Sequence, residues 1–317
     1  MTSRSLGSAP PAAIRERLRR GGLALDLGLA RVSLRSDTAA LARDLALAYR
    51  HFAWPPDDGW VDLHVSLRRP LGLRRWVAPQ VSFVSDGKRP FAPFPADTAL
   101  PLFEWGTNWL IGGRMHASLL FHAGVVERGG LALLMPAVPG SGKSTLTAAL
   151  SLRGWRLLSD EFGALDPDSL RFAPVLKPVA LKNESIGVIR RFEPSAPLGT
   201  EFPRTRKGTV AHLAALPEAV ARVHESAAAG AIVLPQWQQG QRAAAQPLSP
   251  QAAFAALAFN AFNYAIMGEA GFRAVVQLVR RCPAWQLTYS DLDDAIGWIE
   301  RHWPQVADRH ADPRGGA

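Results

Sequence analysis

The eight residues Ala137–Ser144, AVPGSGKS, set two glycines, a lysine and a hydroxyl at the spacing of a loop that cradles phosphate. Gly140 and Gly142 let backbone NH groups turn inward, Lys143 carries a point charge to phosphate oxygens, and Ser144 offers a hydroxyl to Mg²⁺. A helix starting here would add the positive end of its dipole. Val138, Pro139, Ser141 and Thr145 complete the stretch expected to wrap the phosphates of ATP. Further on, Ser159-Asp160-Glu161 falls in the apolar run RLLSDEF, one helix and one return strand beyond the lysine. A carboxylate there can hold Mg²⁺ or take the proton of an attacking hydroxyl, and the pair Asp160 and Glu161 can divide those tasks. In RTRKGTVAH, the side chains of Arg204, Arg206 and Lys207 concentrate positive charge that either closes over a transferring phosphate or forms a solvated face.

Elements must place these groups. LLFHAGVVER, which carries His122, and LALLMPAV read as two strands joined across Gly129-Gly130, with the second entering the loop directly. STLTAALSLRGW reads as a helix ending near Gly154. RLLSDEF reads as one buried strand lying beside the strand that enters the loop, its carboxylates at the C-terminal edge where α/β sheets bind ligands. Ser249-Pro250 opens a helix that runs to Gly268, making Asn260 and Asn263 polar positions within it, either partnered core amides or peptide contacts. A helix over 270–281, the strand WQLTYS and a Ser290/Asp293 capping box follow. Upstream, 23–36 reads as one strand, Ser36-Asp37 as the cap of a helix, 60–69 and 78–85 as strands, and 99–115 as a helix stopped at Gly112-Gly113. The division expected is a flexible basic tail with a short basic helix (1–21), a small α+β domain (22–111), an α/β phosphate-loop domain (112–303) and a disordered tail (304–317).

Length and composition set the bounds. The 317 residues suffice for two domains, and 48% hydrophobic with 20% charged residues is the balance of a globular protein. Net charge is +9, from 36 basic and 27 acidic residues, which favours an acidic partner such as a nucleotide. The arginines are scattered and no nucleic-acid-binding pattern is present, so no nucleic-acid partner is expected. The single cysteine, Cys282, excludes an internal disulfide and a multi-thiolate metal site. No apolar run approaches the ~18 residues of a membrane span. Asp26 and Arg31 interrupt what would follow Arg19-Arg20 in an export signal, so the expectation is a cytoplasmic protein without membrane contact.

His122, AVPGSGKS and GWRLLSDE resemble, in order and separation, the HPr kinase/phosphorylase family. LKPVALKNESIGVI, TRKGTVAHL and AFNAFNY look like its subgroup called HPr kinase-related kinase A. The resemblance covers roughly residues 112 to 300. It implies a P-loop kinase domain of the HPr kinase and phosphoenolpyruvate carboxykinase type behind a smaller N-terminal α+β domain. It also implies ATP- and Mg²⁺-dependent transfer of phosphate to a hydroxyl, a serine of a peptide or small protein, and, from the family's hexamers, a homo-oligomer. Carried over by position, Asp160 corresponds to the proton acceptor, His122 to the histidine beside it, Lys143 to the phosphate-binding lysine and Ser144 to the magnesium-ligating serine. The family's second magnesium carboxylate aligns near Lys182, where the closest acid is Glu184, and its glycine-rich signature is reduced to IGVI. HPr itself and a reverse phosphorylase reaction fall outside what these departures support. Two other readings use the same residues: a small-molecule kinase of the shikimate or nucleoside type, and an ATP-binding switch or ATPase. The former normally begins with its phosphate loop, whereas more than a hundred residues precede it here, and the transport ATPases carry an LSGGQ-like signature that this chain lacks.

Overall fold

The computed structural model describes residues 4–56, 59–136, 138 and 140–311, which divide into two compact units. The first unit comprises the chain up to Arg114 together with Leu176–Gly187 and Ser195–Val223; the second comprises Met115–Val175, Val188–Pro194 and the chain from His224 onward. Where the sequence was divided linearly at 111/112, the chain in fact returns to the first unit twice.

In the first unit a five-stranded sheet has the order Leu23–Asp26, Arg31–Ser36, Leu63–Arg68, Gln80–Val84, Phe94–Pro95, with only the second and third strands parallel. The single strand expected over 23–36 is a hairpin, reversed where Gly28 adopts φ +90° and its NH bonds Asp26 Oδ1 at 3.0 Å. The expected loose tail contains the helix Pro11–Arg20, anchored by the buried Ile14 and Leu18. Ser36 Oγ accepts from the Thr38 NH at 3.0 Å but closes a turn, and the helix begins only at Leu41. A smaller antiparallel sheet joins Val179–Lys182, Gly208–Leu213 and Phe202–Thr205.

The second unit is one mixed sheet with four principal helices. Its strands are β1 (Leu119–Arg128), β2 (Leu131–Pro136), β3 (Arg156–Ser159), β4 (Phe162–Leu165), β5 (Arg171–Ala173), β6 (Ala227–Trp237), β7 (Ala244–Pro247) and β8 (Ala284–Tyr289). Its helices are α1 (Lys143–Leu152), α2 (Pro250–Phe259), α3 (Tyr264–Arg281) and α4 (Leu292–Ala311). The strands β2, β6 and β8 run parallel, and β1 pairs antiparallel with β2. Gly129 and Gly130, at φ +64° and +83°, supply the left-handed pair that a two-residue hairpin demands. Glu127 Oε1 accepts from the Gly130 NH at 2.6 Å, while its other oxygen meets buried Arg156 on β3. One carboxylate thus closes the turn and fixes β3 against β1.

The strand order corrects an expectation. Strand β3 does not lie beside β2, because β1 stands between them, taking β2 on one edge and β3 then β4 on the other. Both β2 and β3 run antiparallel to β1, so their C-terminal ends reach the same end of the sheet: Pro136 pairs with Ala123 and Ser159 with Val125. Leu119, Phe121, Ala123 and Val125 of β1 pack with Leu257, Val275 and Leu278 of α2 and α3. Each of the larger side chains among them contributes about 1.5–3 kcal/mol by leaving water. The opposite alternation brings Gly124 against α1, where a Cβ would stand 2.2 Å from Thr147 Oγ1.

The helix expected to run unbroken to Gly268 stops at Phe259 and restarts at Tyr264, so Asn260 and Asn263 occupy a link. The cap of α4 is Asp291, whose Oδ1 accepts from the Asp294 NH at 2.9 Å; Ser290 Oγ donates to the Gln241 carbonyl instead. That helix continues to Ala311, through residues expected to be disordered. Among the described residues no helix is long and apolar enough to cross a membrane.

Candidate active site

Chain leaving β2 at Pro136 enters the glycine loop. Ala137 and Pro139 lie outside the described residues; beyond them Gly140 and Gly142 take φ +88° and +91°, backbone that β-carbons oppose. The loop is pinned from behind: the Trp237 NH at the end of β6 donates to Ser141 O at 2.9 Å, and Tyr289 Oη at the end of β8 donates to Gly142 O at 3.3 Å. A Cβ on Gly142 would stand 2.6 Å from that hydroxyl. Burial raises the Tyr289 pKa, which keeps it a neutral donor. Helix α1 then starts at Lys143, with half-buried Ser144 and Thr145 in its first turn.

The expected strand RLLSDEF splits at its carboxylates. Ser159 Oγ accepts from the NH groups of Glu161 and Phe162 at 3.3 and 3.0 Å, and this hydroxyl-made turn separates β3 from β4. Asp160 and Glu161 stand at the corner in different surroundings. Lys143 Nζ donates to the Asp160 carbonyl oxygen and lies 3.1 Å from Asp160 Oδ1, with both side chains buried. Asp160 Oδ2 is buried without a hydrogen-bond partner among the described residues, as is Ser141 Oγ. Desolvation raises the Asp160 pKa above the ordinary carboxylate value, Lys143 and the nearby Ser144 hydroxyl oppose this, and the charge of Glu161 reinforces it. A carboxylate held this way has an increased proton affinity, as a general base requires.

The His122 Nε2 lies 3.5 Å from Glu161 Oε2, so the histidine meets the second acid of the pair, the residue next to Asp160 in the chain. The Phe262 ring packs 5.6 Å from the imidazole and 5.0 Å from Phe162. The link between α2 and α3 binds the free edge of β1 just where β2 ends: the His122 NH donates to Asn260 O at 2.6 Å and the Phe262 NH to Leu120 O at 2.8 Å. Asn263 fixes the link, donating to Ser118 O and accepting from the Leu120 NH at 2.8 and 2.9 Å while fully enclosed. It is a structural amide, and Asn260 turns its own amide back to Ala256 O at 2.8 Å.

The remaining predicted residues belong to the first unit. Glu184 opens the helix Glu184–Phe192; Arg206 and Lys207 form the turn between two strands of the smaller sheet, where the Arg206 guanidinium covers the Phe94 ring at 4.6 Å. Among the described residues no group of three or more His, Cys, Asp or Glu is placed to hold a metal ion. In the second unit, Ser144 and Glu161 are the expected ligands. Cys282 is buried, donates to Ala229 O at 3.4 Å and has its pKa pushed up to about 12 by burial, which makes it an inert thiol. Sequence reasoning missed Trp237, Tyr289, Phe259 and Phe262. Their one signal was an aromatic at the end of each apolar run. No family model matches the chain, and no curated protein matches it.

Proposed function

We infer that the second unit is an ATP-dependent kinase, transferring the terminal phosphate to a hydroxyl, most suitably a serine of a peptide or small protein. The observation that carries this reading is the buried contact of Lys143 with Asp160, at the junction of a glycine loop and the neighbouring strand end. The donor set fits a polyphosphate. Two left-handed glycines open the loop, a helix starts at its end, and the buried, unpartnered Ser141 Oγ and Asp160 Oδ2 are polar atoms for which a phosphate and an acceptor hydroxyl provide partners.

In this reading Lys143 exchanges Asp160 for phosphate oxygens, which leaves both carboxylate oxygens of Asp160 available to the acceptor. Asp160 takes the proton as the acceptor oxygen forms its bond to the γ-phosphorus and the bond to the ADP oxygen breaks. Ser144 and Glu161 would hold Mg²⁺, which would supply charge neutralisation on the phosphates. His122, beside Glu161, orients that carboxylate. Most of the rate comes from positioning and electrostatics. The likeness of these motifs to the HPr kinase family supports the same assignment.

Incubation with γ-labelled ATP, Mg²⁺ and a library of serine- and threonine-containing peptides tests it. Label on peptide hydroxyls is expected. Label appearing only as free phosphate, whatever acceptor is present, would replace the kinase with an ATPase, and label only on hydroxylated metabolites would replace the peptide with a small molecule.

A further inference from the structure

Beside His122 the second unit holds a cavity of about 180 Å³, lined by His122, Val138, Phe259, Asn260, Ala261 and Phe262. An apolar void of ~150 Å³ accommodates one benzene ring. This cavity has the size of a single aromatic or branched aliphatic side chain. Its walls come from elements that already serve the site. Val138 belongs to the glycine loop, residues 259–262 belong to the link that pairs with β1, and the His122 imidazole stands against Glu161. The cavity therefore borders the loop at Val138 and reaches the carboxylate corner through His122.

Its rim is unusually apolar for a phosphate site. Phe259 is 81% exposed, Phe262 54% and Ile266 64%. Phe259 and Phe262 share the lining of the cavity, and exposed large apolar side chains gathered at one place mark a surface that something covers. Phe259 does no work in the core, since α2 buries Ala253 and Leu257 instead.

We propose that this cavity is the specificity pocket for the acceptor, taking one aromatic or branched aliphatic side chain that lies within two residues of the phosphorylated hydroxyl in an extended peptide. The assignment rests on the kinase reading above. An extended segment carries neighbouring side chains to opposite faces and returns to the same face after two residues. One short peptide can thus present a hydroxyl at the Asp160 corner and an apolar group to the pocket. The pocket gives the enzyme a grip on its acceptor beside the loop proposed to hold ATP.

The test is a set of peptides with a single serine whose flanking positions carry Gly, Asp, Lys, Leu or Phe, assayed by kcat/KM with γ-labelled ATP. Peptides with Phe or Leu at one position are expected to exceed their Gly and Asp counterparts about tenfold or more, the discrimination one apolar pocket provides. In Phe259→Glu that preference should fall by about tenfold and lysine-flanked peptides should gain, while ATP affinity is unchanged. Phe259 is exposed, so this variant folds. Equal efficiency for all flanks, or a preference that survives both Phe259→Glu and Phe262→Ala, overturns the pocket and leaves the kinase standing. No transfer to any peptide, with ATP still bound, overturns the peptide kinase and the pocket together.

Discussion

The Lys143 ammonium rests on the Asp160 carbonyl oxygen and lies 3.1 Å from Asp160 Oδ1, the two side chains being 9% and 4% exposed. A pair in solvent would contribute 0–1 kcal/mol, but here each charge has given up its water and depends on the other. In the proposed kinase a bound phosphate would compete for the lysine, which would couple occupation of the glycine loop to release of the carboxylate.

Lys143→Met is expected to cost about 3 kcal/mol at pH 8, because it leaves the Asp160 carboxylate buried and unpaired. Without the lysine the Asp160 pKa, already raised by burial, rises further. Lowering the pH then neutralises the stranded charge, so the cost should shrink to half or less at pH 5. Urea unfolding of both proteins at the two pH values measures this. An equal cost at both would show that the pair carries no buried charge.

Asn263→Ala removes the side chain that satisfies both the Leu120 NH and the Ser118 carbonyl in an enclosed position. The loss should be about 2–3 kcal/mol, against less than about 1 kcal/mol for Asn260→Ala, whose amide bonds only within its own helix turn. Thermal melts of the two variants rank them. Equal shifts would mean that the link is not held by Asn263.

In the first unit His212 is fully buried, Nδ1 lacks a hydrogen-bond partner among the described residues, and desolvation lowers its pKa to about 4, with Lys177 and Lys182 assisting and Glu104 opposing. The unfolded chain binds the proton near pH 6.5 and the folded chain only near 4, so protonation favours unfolding throughout that interval. Stability contributed by the neutral imidazole is complete above pH 6.5 and lost as pH falls towards 4, by roughly 3 kcal/mol. His212→Leu should flatten the stability curve by that amount between pH 7 and 4. A variant curve parallel to that of the wild type would refute the depressed pKa.

The elements nearest the site were legible because their signals are local. Gly129-Gly130 announced the hairpin, and the glycines, lysine and serine announced the loop and the start of α1. What stayed hidden depends on partners far away in sequence. β1 lies between β2 and β3, held to β3 by the pair of Glu127 with Arg156, and no periodicity encodes strand order. The helix over 250–267 breaks because Asn263 prefers the backbone of Ser118 and Leu120, about 140 residues earlier, to a place in an apolar helix. The Ser159 turn brings Glu161 to His122, a contact that the spacing of the motifs did not specify. The return of 176–187 and 195–223 to the first unit has no local mark at all.

In the proposed reaction Asp160 takes the acceptor proton while Lys143 holds the phosphate. Its most direct test is the single-turnover rate of label transfer from γ-labelled ATP to a good acceptor peptide in Asp160→Asn, at matched ATP occupancy. The expected result is a loss of about 10²–10⁴-fold, the range for a general base, with ATP affinity within a few fold of the wild type. Transfer at the wild-type rate would contradict it.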